Sequence, residues 1–118
     1  MFDVILNKIK ECAEAELVDR VKDTHKECVI ARLEPKSYDE GVCHSRLEIL
    51  CVSKTYERAL LSFDSICKGF DELPDEENEI LDIDLKSTVI KYDTVTGMTR
   101  LFGVFDAYTE VIRDDFEE

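Results

Sequence analysis

The sequence predicts an α+β fold in which a four-stranded antiparallel sheet carries two helices on one face. Two segments place apolar residues at helical spacing, and four others alternate between apolar and polar residues and are rich in β-branched and aromatic side chains. The predicted order of elements is α-β-β-α-β-β. Since 118 residues is the length of one domain, we expect a single domain at residues 1–113 and a short acidic tail at residues 114–118.

The first element is predicted to be a helix over residues 2–21. Its apolar residues recur every three or four positions and define one stripe: Phe2, Ile5, Leu6, Ile9, Cys12, Ala13, Leu17 and Val21. A hairpin is predicted next, because residues 28–34 and 42–52 favour strands and the segment between them has turn chemistry. Pro35 is expected to end the first of these strands, since proline cannot donate a ladder hydrogen bond.

The second helix is predicted over residues 56–73, where a wide apolar stripe runs up to Pro74. Ser53 or Thr55 is the expected N-cap, because either hydroxyl could accept a hydrogen bond from the first helical turn. A long hairpin then closes the chain. Its arms are residues 81–92 and 98–112, and Gly97 is the expected left-handed residue of the turn.

The closing hairpin carries large apolar side chains on both faces of its last strand. Leu101 and Phe105 alternate with the residues of the other face, and two helices can cover only one face of such a sheet. Because exposed apolar patches mark association sites, the uncovered side of the hairpin is the predicted interface. Its candidate residues are Ile90, Tyr92, Phe102, Val104 and Tyr108. A sheet that curls and buries both faces is the alternative.

The charge balance restricts the partners. With 28 acidic and 15 basic residues, the formal net charge is −13, which disfavours both a nucleic-acid backbone and an anionic membrane surface. The sequence has no apolar stretch of the roughly 20 residues that span a bilayer. The excess negative charge has two interpretations. It either keeps the protein soluble, or it forms a surface that faces DNA without binding it or that contacts a basic partner.

No constellation of residues predicts catalysis, a cofactor or a metal. The five cysteines do not form the close pairs of zinc sites, and Cys12, Cys51 and Cys67 lie in apolar stripes, where cysteine is a small hydrophobic residue. Zinc held by cysteine and histidine stays the alternative. Asp82 and Asp84 share one strand face, which fits a solvated face or, alternatively, a hard-cation or acid–base site. The odd number of cysteines and the absence of a signal peptide predict a reducing compartment.

Four segments in succession carry a resemblance: the opening helix at residues 2–10, the strand at 47–52, the helix at 56–73 and the hairpin at 87–105. Their order resembles the tail-terminator and head–tail joining proteins of long-tailed bacteriophages. The resemblance implies a structural protein of the virion, assembled in the host cytoplasm. It further implies a homo-oligomeric ring, commonly a hexamer, that joins other virion proteins at the head–tail junction. An acidic lumen would let DNA slide past without sticking.

A different class of function is the runner-up. A small acidic protein, such as a phage-encoded inhibitor that mimics the charge of nucleic acid, would need a stripe of carboxylates to meet a basic partner. The candidates for that stripe are Asp71, Glu72, Asp75, Glu76, Glu77, Glu79, Asp82 and Asp84. An enzyme comes third, because it would need a concave pocket that the sequence does not reveal.

Overall fold

The computed structural model describes residues 2–13, 15–21, 24–74 and 79–110. Within them, the helices are α1 (Phe2–Cys12) and α2 (Tyr56–Asp71). The strands are β1 (Glu16–Val18), β2 (Cys28–Asp39), β3 (Val42–Ser53), β4 (Ile80–Asp93) and β5 (Met98–Glu110). They form one sheet of five strands in the order β1-β2-β3-β5-β4. The predicted tail at residues 114–118 lies outside the described residues.

The predicted four-stranded antiparallel sheet, with its order α-β-β-α-β-β, is wrong. The sequence assigned β1 to the first helix, but α1 ends at Cys12 and β1 pairs in parallel with β2, which makes the sheet mixed. Leu17 packs against the main core, whereas Val18 packs against a second cluster on the other side of the sheet. Neighbouring side chains that serve opposite faces are typical of a strand, so the helical spacing of Leu17 and Val21 was misleading.

Pro35 does not end β2, contrary to the prediction. The strand continues to Asp39 and accommodates the proline with an irregularity between Pro35 and Ser37. Among the described residues, β1 pairs with residues 28–30 of β2 and no other strand lies on that side, so the outer part of β2 is an edge of the sheet. A proline is tolerated there, since its missing N–H does not interrupt a ladder on that side.

Other local predictions are confirmed. The Thr55 hydroxyl caps α2 by accepting a hydrogen bond from the Arg58 N–H at 3.1 Å. Gly97 has a φ of 76° in the turn between β4 and β5, as expected for a left-handed residue. The pairs β2–β3 and β4–β5 are antiparallel, and β5 also pairs antiparallel with β3.

Both helices pack on one side of the sheet, which we call the covered face. Its fully buried side chains come from both helices and the central strands: Ile5, Ile9, Ile66, Phe70, Leu47, Ile49, Leu101, Phe105 and Ala107. The opposite side, the open face, carries the alternate residues of the central strands: His44, Arg46, Glu48 and Leu50 on β3, and Phe102, Val104, Asp106 and Tyr108 on β5. The core therefore lies between the helices and the covered face.

One glycine lets α2 approach the sheet closely. A Cβ atom at Gly103 would lie 2.4 Å from two carbons of the Phe63 ring. The ring, which is 6% exposed, therefore occupies the space that a side chain on β5 would fill. This contact fixes the height of α2 above β5, and it explains why a residue with poor strand propensity stands mid-strand.

Candidate functional site

The five residues of the predicted interface lie on two different surfaces. Phe102, Val104 and Tyr108 are half-buried on the open face. Ile90 and Tyr92 lie on the covered side of β4, because they pair directly with Leu101 and Thr99, and directly opposed residues share a face. The structure therefore does not bring the five residues together.

The covered side of β4 extends beyond the helices. On α2, Ser62 forms a side-chain hydrogen bond with Cys51 of β3, and the Phe63 ring lies over Gly103 of β5. By helical spacing, Tyr56 and Leu60 lie next to Phe63 on the circumference of α2, on the side away from Ser62. We define the edge surface as Tyr56, Leu60, Leu85, Ile90 and Tyr92. All five are exposed large hydrophobic residues, from 38% for Leu60 and Ile90 to 64% for Tyr92.

The open face has an apolar half near the start of β2. Cys28, Val52 and Met98 form a small buried cluster there, covered by Val18 and Val21. This cover exists because the chain turns onto the open face after β1. Beside the cluster, the segment at residues 19–21 borders a concavity of about 290 Å³, which we call the open-face pocket. Its lining residues are Asp19, Arg20, Val21, Ile30, Arg32, Glu48, Leu50 and Phe102.

The polar half of the open face is organised around Asp106. One carboxylate oxygen lies 2.8 Å from Nε2 of His44, and the other lies 3.1 Å from Nζ of Lys86. The hydrogen bond from His44, followed by the contacts with Lys86, lowers the pKa of Asp106 below its usual value. Tyr108 stacks on His44 with ring centroids 5.0 Å apart and planes 13° apart. These contacts hold four side chains in one arrangement across three strands.

Two further carboxylates border this cluster on the open face. Asp84 pairs with Asp106 across the strands, and Asp82 pairs with Tyr108. Desolvation, followed by the hydrogen bond and charge of Asp82, raises the pKa of Asp84. The described residues contain no group of three His, Cys, Asp or Glu side chains that could hold a metal ion. Lys86 instead supplies the positive charge among these carboxylates.

The thiols are not arranged as nucleophiles. Burial raises the pKa of Cys51 to about 12 and that of Cys67 to about 11, which disfavours the thiolate that attacks a substrate. Cys43 is adjacent to His44 but belongs to the other face of β3, where its Sγ lies 3.7 Å from the Ser45 hydroxyl. The adjacent cysteine and histidine therefore do not form a catalytic pair.

The described members of the predicted acidic stripe lie on both sides of the sheet. Asp71 and Glu72 lie at the end of α2 above the covered face, whereas Asp82 and Asp84 belong to the open face. The predicted members at residues 75–77 lie outside the described residues. Glu72 is also engaged by Lys8, with Nζ 3.3 Å from its carboxylate. A continuous row of carboxylates that mimics a nucleic-acid strand is therefore not carried by these four residues.

Sequence reasoning missed both the open-face pocket and the helical part of the edge surface. The pocket depends on the turn after β1, a strand of three residues with no local signal. The split of the predicted interface could have been found, because counting outward from the turn at Gly97 pairs Ile90 with Leu101 rather than with Phe102.

The chain matches no family model and no curated protein. In the described part of the chain, no helix is long and apolar enough to cross a membrane.

Proposed function

We propose that this protein is a structural assembly component that binds further copies of itself through the edges of its sheet. The observation that carries the proposal is the edge surface, where apolar side chains are exposed beside β4, the strand at one end of the sheet. Half of the backbone N–H and C=O groups of an edge strand point away from its sheet and can pair with another chain. A second copy would thus extend the sheet and bury the edge surface in one step.

The sheet offers two different edges, which favours a ring over a simple dimer. One edge is β4, and the other is the part of β2 that β1 leaves uncovered. A contact between unlike edges is head-to-tail, and it generates a closed ring when the rotation per subunit permits.

The specific form of this proposal is a ring at the head–tail junction of a bacteriophage virion, where other virion proteins would be its partners. Its support is the resemblance of the opening helix, the strand at residues 47–52, the α2 segment and the closing hairpin to tail-terminator and head–tail joining proteins. The net charge of −13 suits a lumen through which DNA moves, because a negative wall does not bind the phosphate backbone.

The test is the oligomeric state of the protein and of two variants, measured by native mass spectrometry and light scattering over a wide concentration range. Ile90→Lys places a charge in the edge surface, so we expect this variant to remain monomeric where the wild type assembles. Leu61→Lys is the matched control, because Leu61 is 56% exposed on α2 and lies outside the edge surface.

The number of copies in the assembly distinguishes a ring from a dimer and from a protein that does not self-associate. A closed assembly of more than two copies that Ile90→Lys abolishes would support the ring, and six copies would favour the head–tail form. A dimer would indicate that two copies of β4 pair with each other. A wild-type monomer at every concentration, or equal assembly of both variants and the wild type, would contradict self-association through this edge.

A further inference from the structure

The open-face pocket combines an apolar floor with cationic side chains at its rim. Ile30 is directly opposite Leu50, and Leu50 is directly opposite Phe102, so the three side chains form one row across β2, β3 and β5. All three are half-buried, which leaves part of each side chain accessible from the pocket. Residues 19–21 border this row and give the otherwise open sheet a wall.

The charges at the rim favour an anion. Arg20 and Arg32 line the pocket, and the ion pairs found in the described part of the chain involve neither of them. Glu48 also lines the pocket, but its Oε2 lies 2.9 Å from Nε of Arg46, which offsets its charge. Asp19 is the remaining carboxylate of the lining. Two guanidinium groups beside an apolar floor stand out in a protein whose net charge is −13.

We propose that the open-face pocket binds small molecules that have a flat apolar body and one anionic group, such as aromatic carboxylates. The apolar body would lie on Ile30, Leu50 and Phe102, and the anion would meet Arg20 and Arg32, whose planar guanidinium groups match a carboxylate. The volume of about 290 Å³ is near the lower end for small-molecule sites, so it fits one or two rings rather than a long acyl chain. This pocket is separate from the edge surface, so the inference does not depend on the proposed self-association.

The test compares two fluorescent probes that differ in charge. Anilinonaphthalenesulfonate has an apolar aromatic body and one negative charge, and phenylnaphthylamine is its uncharged counterpart. We expect the wild type to bind one anionic probe per chain and to bind the uncharged probe more weakly. The double variant Arg20→Gln/Arg32→Gln should weaken binding of the anionic probe about tenfold, because it removes two charge-assisted contacts. Binding of the uncharged probe should not change.

Two controls make the result specific. Lys68→Gln removes one positive charge from α2, on the other side of the sheet. The affinity of this variant for the probe should therefore match that of the wild type. Naphthoate should displace the anionic probe, since it presents the same chemistry with a carboxylate. Circular dichroism would verify that each variant is folded.

Several results would overturn the inference. Unchanged affinity in the double arginine variant would show that the probe binds elsewhere, and loss of binding in Ile90→Lys would place the probe on the edge surface. Equal affinity for both probes would indicate an apolar site without anion recognition. Failure of naphthoate to compete would exclude aromatic carboxylates as the ligand class of the pocket.

Discussion

The two faces of β5 carry similar side chains in different surroundings. On the covered face, Leu101 and Phe105 are 1% and 2% exposed, because α2 lies directly above them. On the open face, Phe102, Val104 and Tyr108 are only half-buried. Composition alone does not distinguish the two sets, so burial is decided by the helical layer. Stability should therefore be concentrated on the covered face, whereas the open face has side chains available for binding.

The largest difference in stability is expected when one phenylalanine ring is removed from each face of β5 in turn. Phe105 packs edge-on against Phe70, with ring centroids 5.2 Å apart, and it also contacts Phe63. Phe105→Ala should therefore lower the free energy of unfolding by about 3–5 kcal/mol, because it leaves a cavity in the core. Phe102→Ala should cost only about 1–2 kcal/mol, since its ring is already partly exposed. Urea denaturation of both variants measures the difference, and equal losses would refute the comparison.

A smaller effect is expected from adding one methyl group at Gly103. Its Cβ would lie 2.4 Å from the Phe63 ring, so α2 or the ring must move. We expect Gly103→Ala to cost about 1–3 kcal/mol, as in other overpacked cores. Combining it with Phe63→Leu tests the cause, because the double variant should lose less than the sum of the single losses.

The control for Gly103→Ala is Val104→Ala, which changes the neighbouring residue on the open face. Because Val104 is half-buried on the open face, on the side of the sheet away from α1 and α2, its truncation should cost less than about 1 kcal/mol. Additive losses for Gly103→Ala and Phe63→Leu would show that the glycine acts through the strand backbone rather than through the ring. Thermal unfolding of Gly103→Ala, Phe63→Leu, their combination and Val104→Ala distinguishes these two explanations.

The features predicted correctly from sequence are those that depend on neighbours along the chain. The Thr55 cap, the left-handed Gly97 and the alternating faces of β5 each follow from a few adjacent residues. The wrong predictions depend on distant partners. β1 exists because Leu17 pairs with Val29, and β2 passes Pro35 because none of the described strands pairs with that part of its outer edge. Neither the pairing of β1 nor the open edge beside Pro35 leaves a signal in the adjacent residues of the sequence.

The candidate sites show the same division. Alternation predicted that Phe102 and Leu101 lie on opposite faces of the last strand, and the structure places them there. The open-face pocket was missed because Arg20 reaches it only through the turn after β1. The helical side of the edge surface was missed because Leu60 belongs to the apolar stripe of α2, and its exposure depends on how far the helix lies from β4.

The smallest effect concerns the polar half of the open face and depends on pH. The folded state lowers the pKa of Asp106, so its carboxylate contributes stability at pH values above its ordinary pKa of about 3.9. This contribution is lost as the pH falls through the lower pKa of the folded state. At neutral pH, Asp106→Asn should cost about 1 kcal/mol, because His44 and Lys86 lose an ionised acceptor. The difference from the wild type should shrink once the pH falls below about 4.

Asp64→Asn is the matched control for Asp106→Asn, because it also removes one negative charge from an ion pair. Asp64 is 61% exposed and pairs with Lys68 one helical turn away, so solvent screens the pair and its loss should cost only a few tenths of a kcal/mol. Urea denaturation of both variants across acidic and neutral pH measures the comparison. If the two variants lose equal stability at neutral pH, or if the loss at Asp106 does not depend on pH, the Asp106 cluster would be no more than another exposed ion pair. A loss confined to Asp106 and to pH values above its titration would show that the open face also has an ordered, stabilising region, next to the half that we propose for ligand binding.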